Sequence, residues 1–210
     1  MNLPRDRSSW VEPDEYPPPF DALAERWHRI GVELSVRYVP NDFGLPCFQT
    51  VLAEDSHSQT VDLAIGSGLH LDPRIAFARA VCEAAQSRLS CIHGGRDDLT
   101  EFYDHLQSQG SARDARHSLA YQEAFGRRQQ ILWREVPSLP IEPNSTLDEV
   151  LSQLVRHLAE RGFPRVLRHR FDVPLNGLHV VKIIVPRCQE AAVPLHRAGR
   201  RFLDLARADG

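Results

Sequence analysis

The chain has 210 residues, with 25 basic and 28 acidic side chains and a formal net charge of −3. A pI near 6.4 excludes a global attraction to nucleic acid or to an anionic membrane. With 42 % hydrophobic and 25 % charged residues, disorder of the whole chain is excluded, and the length suits one domain or one and a half. No run of about 18 apolar residues is present, so no transmembrane helix is expected. The Pro-rich start has no apolar core of a secretory signal, and Cys47, Cys82, Cys91 and Cys188 form no CxxC pair. A reducing cytoplasm is the expected compartment.

Residues 1–19, with the run Pro17-Pro18-Pro19, read as an irregular or polyproline-like arm. Leu23, Ala24, Trp27 and Ile30 lie at helical spacing, and Gly31 ends that helix. Val32, Leu34, Val36 and Tyr38 alternate as a half-buried strand does. Residues 46–53 and 60–65 are two further strands, and the three form an antiparallel meander. The glycines of Gly66-Ser67-Gly68 are expected to end the third strand in a turn whose N–H groups can face an anion. Asp72 caps the next helix, with Pro73 at its first position. Ile75, Ala78, Cys82, Ala85 and Leu89 predict a narrow buried seam on it. Residues 101–134 read as polar helix, and 137–143 as a connector. Thr146-Leu147-Asp148-Glu149 fits a capping box, and Leu147, Val150, Leu151, Leu154, Val155 and Leu158 are the expected buried face of the helix it opens. Residues 166–173 and 179–185 are two more strands, and 191–210 form a basic tail. About five strands and four or five helices, not strictly alternating, indicate an α+β fold: a mixed or antiparallel sheet packed by helices.

The chemistry concentrates on the helix after Asp72 and on the loop that follows it. Glu83 and Gln86 are three apart and point the same way. A carboxylate beside an amide suits a Mg²⁺ ligand with a donor to phosphate or sugar. Arg88 and Arg96 can neutralise phosphate, and Asp97 and Asp98 can hold metal or orient Arg96. The same residues also fit a solvated helix face with an Arg79–Glu83 pair. His70 and His93 are candidate bases. No P-loop, Ser-His-Asp or HExxH pattern is legible. Arg127-Arg128 and Arg200-Arg201 read as surface charge rather than a nucleic-acid footprint.

Taken in order, Gly66-Ser67-Gly68-Leu69-His70-Leu71-Asp72-Pro73, Arg79-Ala80, Glu83-Ala84-Ala85-Gln86-Ser87-Arg88-Leu89 and Gly94-Gly95-Arg96-Asp97-Asp98 resemble the YcaO family. Asn41-Asp42-Phe43-Gly44-Leu45-Pro46 is similar to an upstream strand pair of that family. The resemblance implies an enzyme that uses ATP and Mg²⁺ to phosphorylate a peptide amide oxygen. A Cys, Ser or Thr side chain or sulfide then adds to the amide carbon, giving azolines, thioamides or amidines in the maturation of ribosomal peptides or in protein modification. It implies that Glu83 is a Mg²⁺ ligand and that Gln86, Arg88, Arg96, Asp97 and Asp98 belong to the nucleotide site. This fits phosphoryl transfer, which needs metal, cationic clamps and positioning more than a covalent protein group.

Two departures qualify the resemblance. The family's other ATP-binding stretch, S-x-x-x-E-x-x-E-R, is not found, and the Pro-rich end of azoline-forming cyclodehydratases is absent. The chain therefore reads as the C-terminal half of a YcaO domain over residues 20–190. The R-D-D motif leans toward members that work with a TfuA-like partner in thioamide formation. Two readings follow: part of a peptide-modifying enzyme completed by a second YcaO-half chain, or a non-catalytic YcaO-like module that binds a peptide or partner. A missing half would leave apolar surface exposed, so self-association or a partner is expected.

Overall fold

The computed structural model describes residues 7–54, 63–93, 125 and 129–188. The chain divides into two compact units, residues 7–140 and residues 1–6 with 141–210.

In the first unit a five-stranded sheet has the order β4-β3-β2-β1-β5. Its strands are β1 (Ser9–Val11), β2 (Val32–Tyr38), β3 (Cys47–Glu54), β4 (Leu63–Leu69) and β5 (Gln130–Ile131). All neighbours are antiparallel except β1 and β5, which run parallel, so the sheet is mixed. The expected antiparallel meander of β2, β3 and β4 is present, with Leu34 opposite Leu52 and Val51 opposite Ile65. Residues 7–19 differ from the expected irregular arm. Trp10 and Val11 pair with Gln130 and Ile131. A 3₁₀ turn, Pro13–Glu15, joins the far segment through Glu15, whose Oε2 accepts from the Trp133 N–H at 3.1 Å.

Helix α1 (Phe20–His28) and helix α2 (Pro73–His93) supply the apolar partners of the sheet. The Asp72 carboxylate accepts from Arg74 N–H at 2.7 Å, which satisfies one orphan donor at the start of α2. Phe77 from α2 is fully buried at the centre of the core. Its ring centroid lies 5.2 Å from Tyr16, 5.4 Å from Phe20, 5.5 Å from Phe48 and 5.7 Å from Trp133.

The expected seam of α2 is not the buried one. Ala76, Phe77, Ala80, Val81 and Ala84 are buried, whereas Ile75, Cys82 and Leu89 are exposed. The cause lies in β4. Gly66 and Gly68 do not form a turn; they are interior strand residues facing α2. A Cβ on Gly66 would stand 2.2 Å from the Ala80 carbonyl oxygen and 2.2 Å from the Ala84 nitrogen. A Cβ on Gly68 would stand 2.0 Å from the Ala76 carbonyl oxygen. Strand and helix thus meet backbone to backbone, which only glycine on one side and alanine on the other permit.

Of the helix expected over 101–134, residues 101–124 and 126–128 lie outside the described residues. Residues 129–134 are not α-helical; they hold β5 and the start of a 3₁₀ turn, Trp133–Glu135.

In the second unit, α3 (Leu147–Glu160) begins with the expected capping box. Glu149 N–H donates to Thr146 Oγ1 at 3.3 Å, and Thr146 N–H donates to Glu149 Oε2 at 2.7 Å. The Thr146 N–H, and after it the Thr146 hydroxyl donating to the same Oε2 at 2.9 Å, hold the Glu149 carboxyl below its usual range. The expected apolar face is only partly covered. Leu158 is buried and Val150 and Leu154 are half-buried, but Leu147, Leu151 and Val155 are exposed. Strands β6 (Leu167–Phe171) and β7 (Val180–Ile184) form an antiparallel pair with Leu167 opposite Ile184 and Phe171 opposite Val180.

Candidate functional site

Strand β4 lies at one end of the five-stranded order, so one row of its backbone groups has no neighbouring strand. Side chains of α2 take that place. The Ser67 N–H donates to Glu83 Oε2 at 2.8 Å, and Ser67 Oγ lies 3.2 Å from the same oxygen. One helical turn on, Ser87 Oγ donates to the Ile65 carbonyl at 3.1 Å. The i,i+4 spacing of Glu83 and Ser87 matches an outward N–H and an outward C=O two residues apart on the strand.

This arrangement fixes the direction of the Glu83 carboxylate. Oε2 is held by the strand edge, while Oε1 has no hydrogen-bond partner among the described residues. Gln86 lies beside it on the same flank of α2, exposed. An exposed carboxylate with one oxygen anchored and one open is a suitable hard-cation ligand. Mg²⁺ needs only one or two protein carboxylates when phosphate and water complete its octahedron. The donor set therefore fits Mg²⁺ bound with a nucleotide. Among the described residues no three His, Cys, Asp or Glu side chains gather as a metal-only site.

Arg88 is placed differently. It lies five residues beyond Glu83, roughly 140° further round the helix. Its guanidinium forms an ion pair with Glu54 at the end of β3, and both side chains are largely covered. The structure thus brings Glu83 and Gln86 together and directs Arg88 to the strand. Arg96, Asp97 and Asp98 lie outside the described residues, as do Arg127, Arg128, Arg200 and Arg201. His70 Nδ1 accepts from the Asp72 N–H at 3.0 Å, a local bond at the start of α2. Sequence reasoning missed Ser67, Ser87 and Glu54 as anchors. The signal present in the sequence was Gly66 and Gly68 two apart in one strand and Ala76, Ala80 and Ala84 four apart in the next helix, with nothing local to say that they face each other.

A family model described as YcaO cyclodehydratase, ATP- and Mg²⁺-binding, matches residues 2–189. The chain belongs to the YcaO family. The resemblance read from the E-A-A-Q-S-R block and its flanking motifs is borne out over nearly the whole chain. A protein from the tfuA 3′ region of Rhizobium leguminosarum bv. trifolii is 29 % identical over 176 residues, 79 % of this chain and 39 % of that protein. One from Methanothermobacter thermautotrophicus is 32 % identical over 196 residues, 86 % of this chain and 45 % of the relative. The chain thus spans less than half the length of these curated relatives. The structure of YcaO from Methanopyrus kandleri, bound with AMPPCP and Mg²⁺, superposes with a TM-score of 0.64 at 21 % identity. That match covers 91 % of this chain and 48 % of the other, and shows a shared YcaO fold. No helix among the described residues is long and apolar enough to cross a membrane.

Proposed function

We propose that this YcaO chain forms one wall of a Mg²⁺–ATP site in an enzyme that modifies a peptide backbone. The observation that carries the reading is the Glu83 carboxylate, anchored through Oε2 on the edge of β4 and open at Oε1 beside Gln86. Glu83 is the metal ligand and Gln86 a nucleotide contact. Arg96, Asp97 and Asp98, a few residues after α2, complete this chain's share of the site. Mg²⁺, when bound, neutralises phosphate charge during transfer. The chain's own part is to place one carboxylate and one amide with little freedom to move, which is what phosphoryl transfer requires of a protein.

In the reaction so read, the amide oxygen attacks the terminal phosphorus of ATP and ADP leaves. A nucleophile then adds to the activated carbon and phosphate departs. A Cys, Ser or Thr side chain gives an azoline, and sulfide gives a thioamide. The location of the Rhizobium relative in a tfuA 3′ region supports the thioamide branch with a TfuA-like partner. The fold shared with the Methanopyrus kandleri YcaO, which is bound with AMPPCP and Mg²⁺, supports the cofactor assignment. A peptide and a second YcaO-half chain or a TfuA-like protein are the partners of this reading.

Titration calorimetry with ATP in Mg²⁺ and in EDTA tests this reading. Saturable heat with Mg²⁺, lost in EDTA and in Gln86→Ala, is the expected result. Absence of binding would favour a non-catalytic, partner-binding YcaO module. The engagement of Arg88 with Glu54, away from Glu83, is the observation on that side.

A further inference from the structure

The polar groups around Glu83 continue past Ser67 onto the sheet. Gly66 and Gly68 face α2, so Ser67 between them turns its side chain to the opposite face. Gln49 stands opposite Ser67 on β3, and Arg37 stands opposite Gln49 on β2. The three side chains therefore share that face and form one row across the meander. Neither Gln49 nor Arg37 lies in the motifs that carry the family resemblance.

The row is closely spaced. The Ser67 N–H donates to Glu83 and so points away from β3, which makes Ser67 and Gln49 a non-hydrogen-bonded pair. In such pairs the Cα atoms approach to about 4.5 Å and the side chains are at their closest. Arg37 Nη2 donates to Gln49 Oε1 at 2.6 Å. Arg37 is 9 % exposed, Gln49 is half-buried and Ser67 is exposed. The row thus runs from a covered guanidinium to the open carboxylate of Glu83. The bond from Arg37 also decides what Gln49 presents. With Oε1 occupied, the amide offers a ligand its Nε2 donors, and Nε2 has no hydrogen-bond partner among the described residues. A cation bonded to the carbonyl side polarises the amide and strengthens it as a donor, which suits an anionic oxygen. Arg88, which the resemblance assigns to the nucleotide site, is engaged by Glu54 instead.

We infer that Gln49, oriented by Arg37, is a further phosphate contact of the site: its amide donates to a phosphate oxygen of the nucleotide whose metal Glu83 holds. The inference rests on the nucleotide reading and extends it from the edge of β4 onto the face of the sheet. Gln49 stands one strand spacing, about 4.8 Å, inward of Ser67, within reach of a phosphate group beside Glu83. Arg37 is a positioning residue that acts through Gln49.

Titration calorimetry of the full chain with Mg²⁺–ATP and, separately, with Mg²⁺–tripolyphosphate tests it. Gln49→Ala should weaken both ligands by about tenfold, the effect of one lost hydrogen bond to a charged group. Gln49→Glu should weaken both by more, because it sets a negative charge against phosphate. A carboxylate at this position keeps the bond to Arg37, so the melting temperature of Gln49→Glu should not fall below that of the parent chain. A residue that merely packed against Arg37 would leave both affinities unchanged in Gln49→Glu. In the Gln49→Ala background Arg37→Met should cost no further affinity, and a further loss would overturn the positioning role of Arg37. Parent affinity in Gln49→Glu overturns the inference and leaves the reading of Glu83 intact. So does a loss confined to ATP, which would put the contact on the base or ribose. A parent chain that binds neither ligand overturns the nucleotide reading and this inference together.

Discussion

Replacing Gly66 by alanine puts a methyl group where the backbone of α2 already stands. The new Cβ would lie 2.2 Å from the Ala80 carbonyl oxygen and 2.2 Å from the Ala84 nitrogen, and at Gly68 it would lie 2.0 Å from the Ala76 carbonyl oxygen. Ordinary contact begins near 3.4 Å, so α2 must retreat from β4 by about 1.2–1.4 Å. No side chain can turn aside, because every short contact but one is to backbone. Phe77 and Val81, both buried on the same helix, lose part of their packing as it moves. Overpacking of this kind costs roughly 1–3 kcal/mol, and the rigidity of the neighbours sets it at the upper end, about 3 kcal/mol. For a chain of this size that lowers the melting temperature by roughly 6–12 °C. The displacement also stretches the 2.8 Å bond from Ser67 N–H to Glu83 Oε2 beyond bonding range. Stability and Mg²⁺–ATP affinity should therefore fall together in Gly66→Ala and in Gly68→Ala. Urea denaturation followed by circular dichroism, with Ser67→Ala as a variant on the same strand that adds no atom, measures the first effect. A Gly66→Ala chain within about 0.5 kcal/mol of the parent would refute the backbone-to-backbone packing of β4 and α2.

Further outcomes follow from other local features. Thr146→Ala should cost about 1 kcal/mol by removing the cap of α3, read as lost helix signal and a lower urea midpoint. Because the Glu149 carboxyl is held below its ordinary value of 4.5, its contribution is complete above that pH and is lost as pH falls through the lowered value. Acid titration of Glu149→Gln should lack that component, and an unchanged acid limb would contradict it. Arg88→Ala and Glu54→Ala should each destabilise the chain. The double variant should cost less than their sum by on the order of 1 kcal/mol, and strict additivity would show that the two are not coupled. Burial pushes the Cys47 thiol above its ordinary range, so iodoacetamide should modify exposed Cys188 well before Cys47.

How much of this was legible in the sequence depended on the range of the interactions. The capping box of Thr146 and Glu149 and the cap of Asp72 were readable because their partners lie two or three residues away. Strand β2 was readable because Val32, Leu34, Val36 and Tyr38 alternate, and β3 because an apolar run ending at Ala53 lies between two turns. The buried face of α2 was misread for a non-local reason. Ile75 and Leu89 outweigh alanine in apolar character, yet Ala76, Ala80 and Ala84 are the residues that fit against Gly66 and Gly68. Nothing within α2 itself reports that glycines face it. Strand β1 was hidden for a similar reason: it sits among prolines, and its parallel partner Gln130–Ile131 lies about 120 residues downstream. At the site, the spacing of Glu83 and Gln86 fitted a solvated helix face as well as a metal and nucleotide contact, and it was the resemblance to the family that singled them out. That Ser67 holds Glu83 could be read only once β4 was known to run through both glycines.

The central claim is that Glu83, fixed by Ser67, is a ligand for the metal of a bound nucleotide. Electron paramagnetic resonance with Mn²⁺ in place of Mg²⁺ tests it most directly, since the free-ion signal disappears as the protein takes up Mn²⁺–ATP. The parent chain should deplete that signal in an ATP-dependent way, Ser67→Ala should do so with weaker affinity, and Glu83→Gln should lose at least about tenfold. Uptake by Glu83→Gln equal to that of the parent chain would contradict the account.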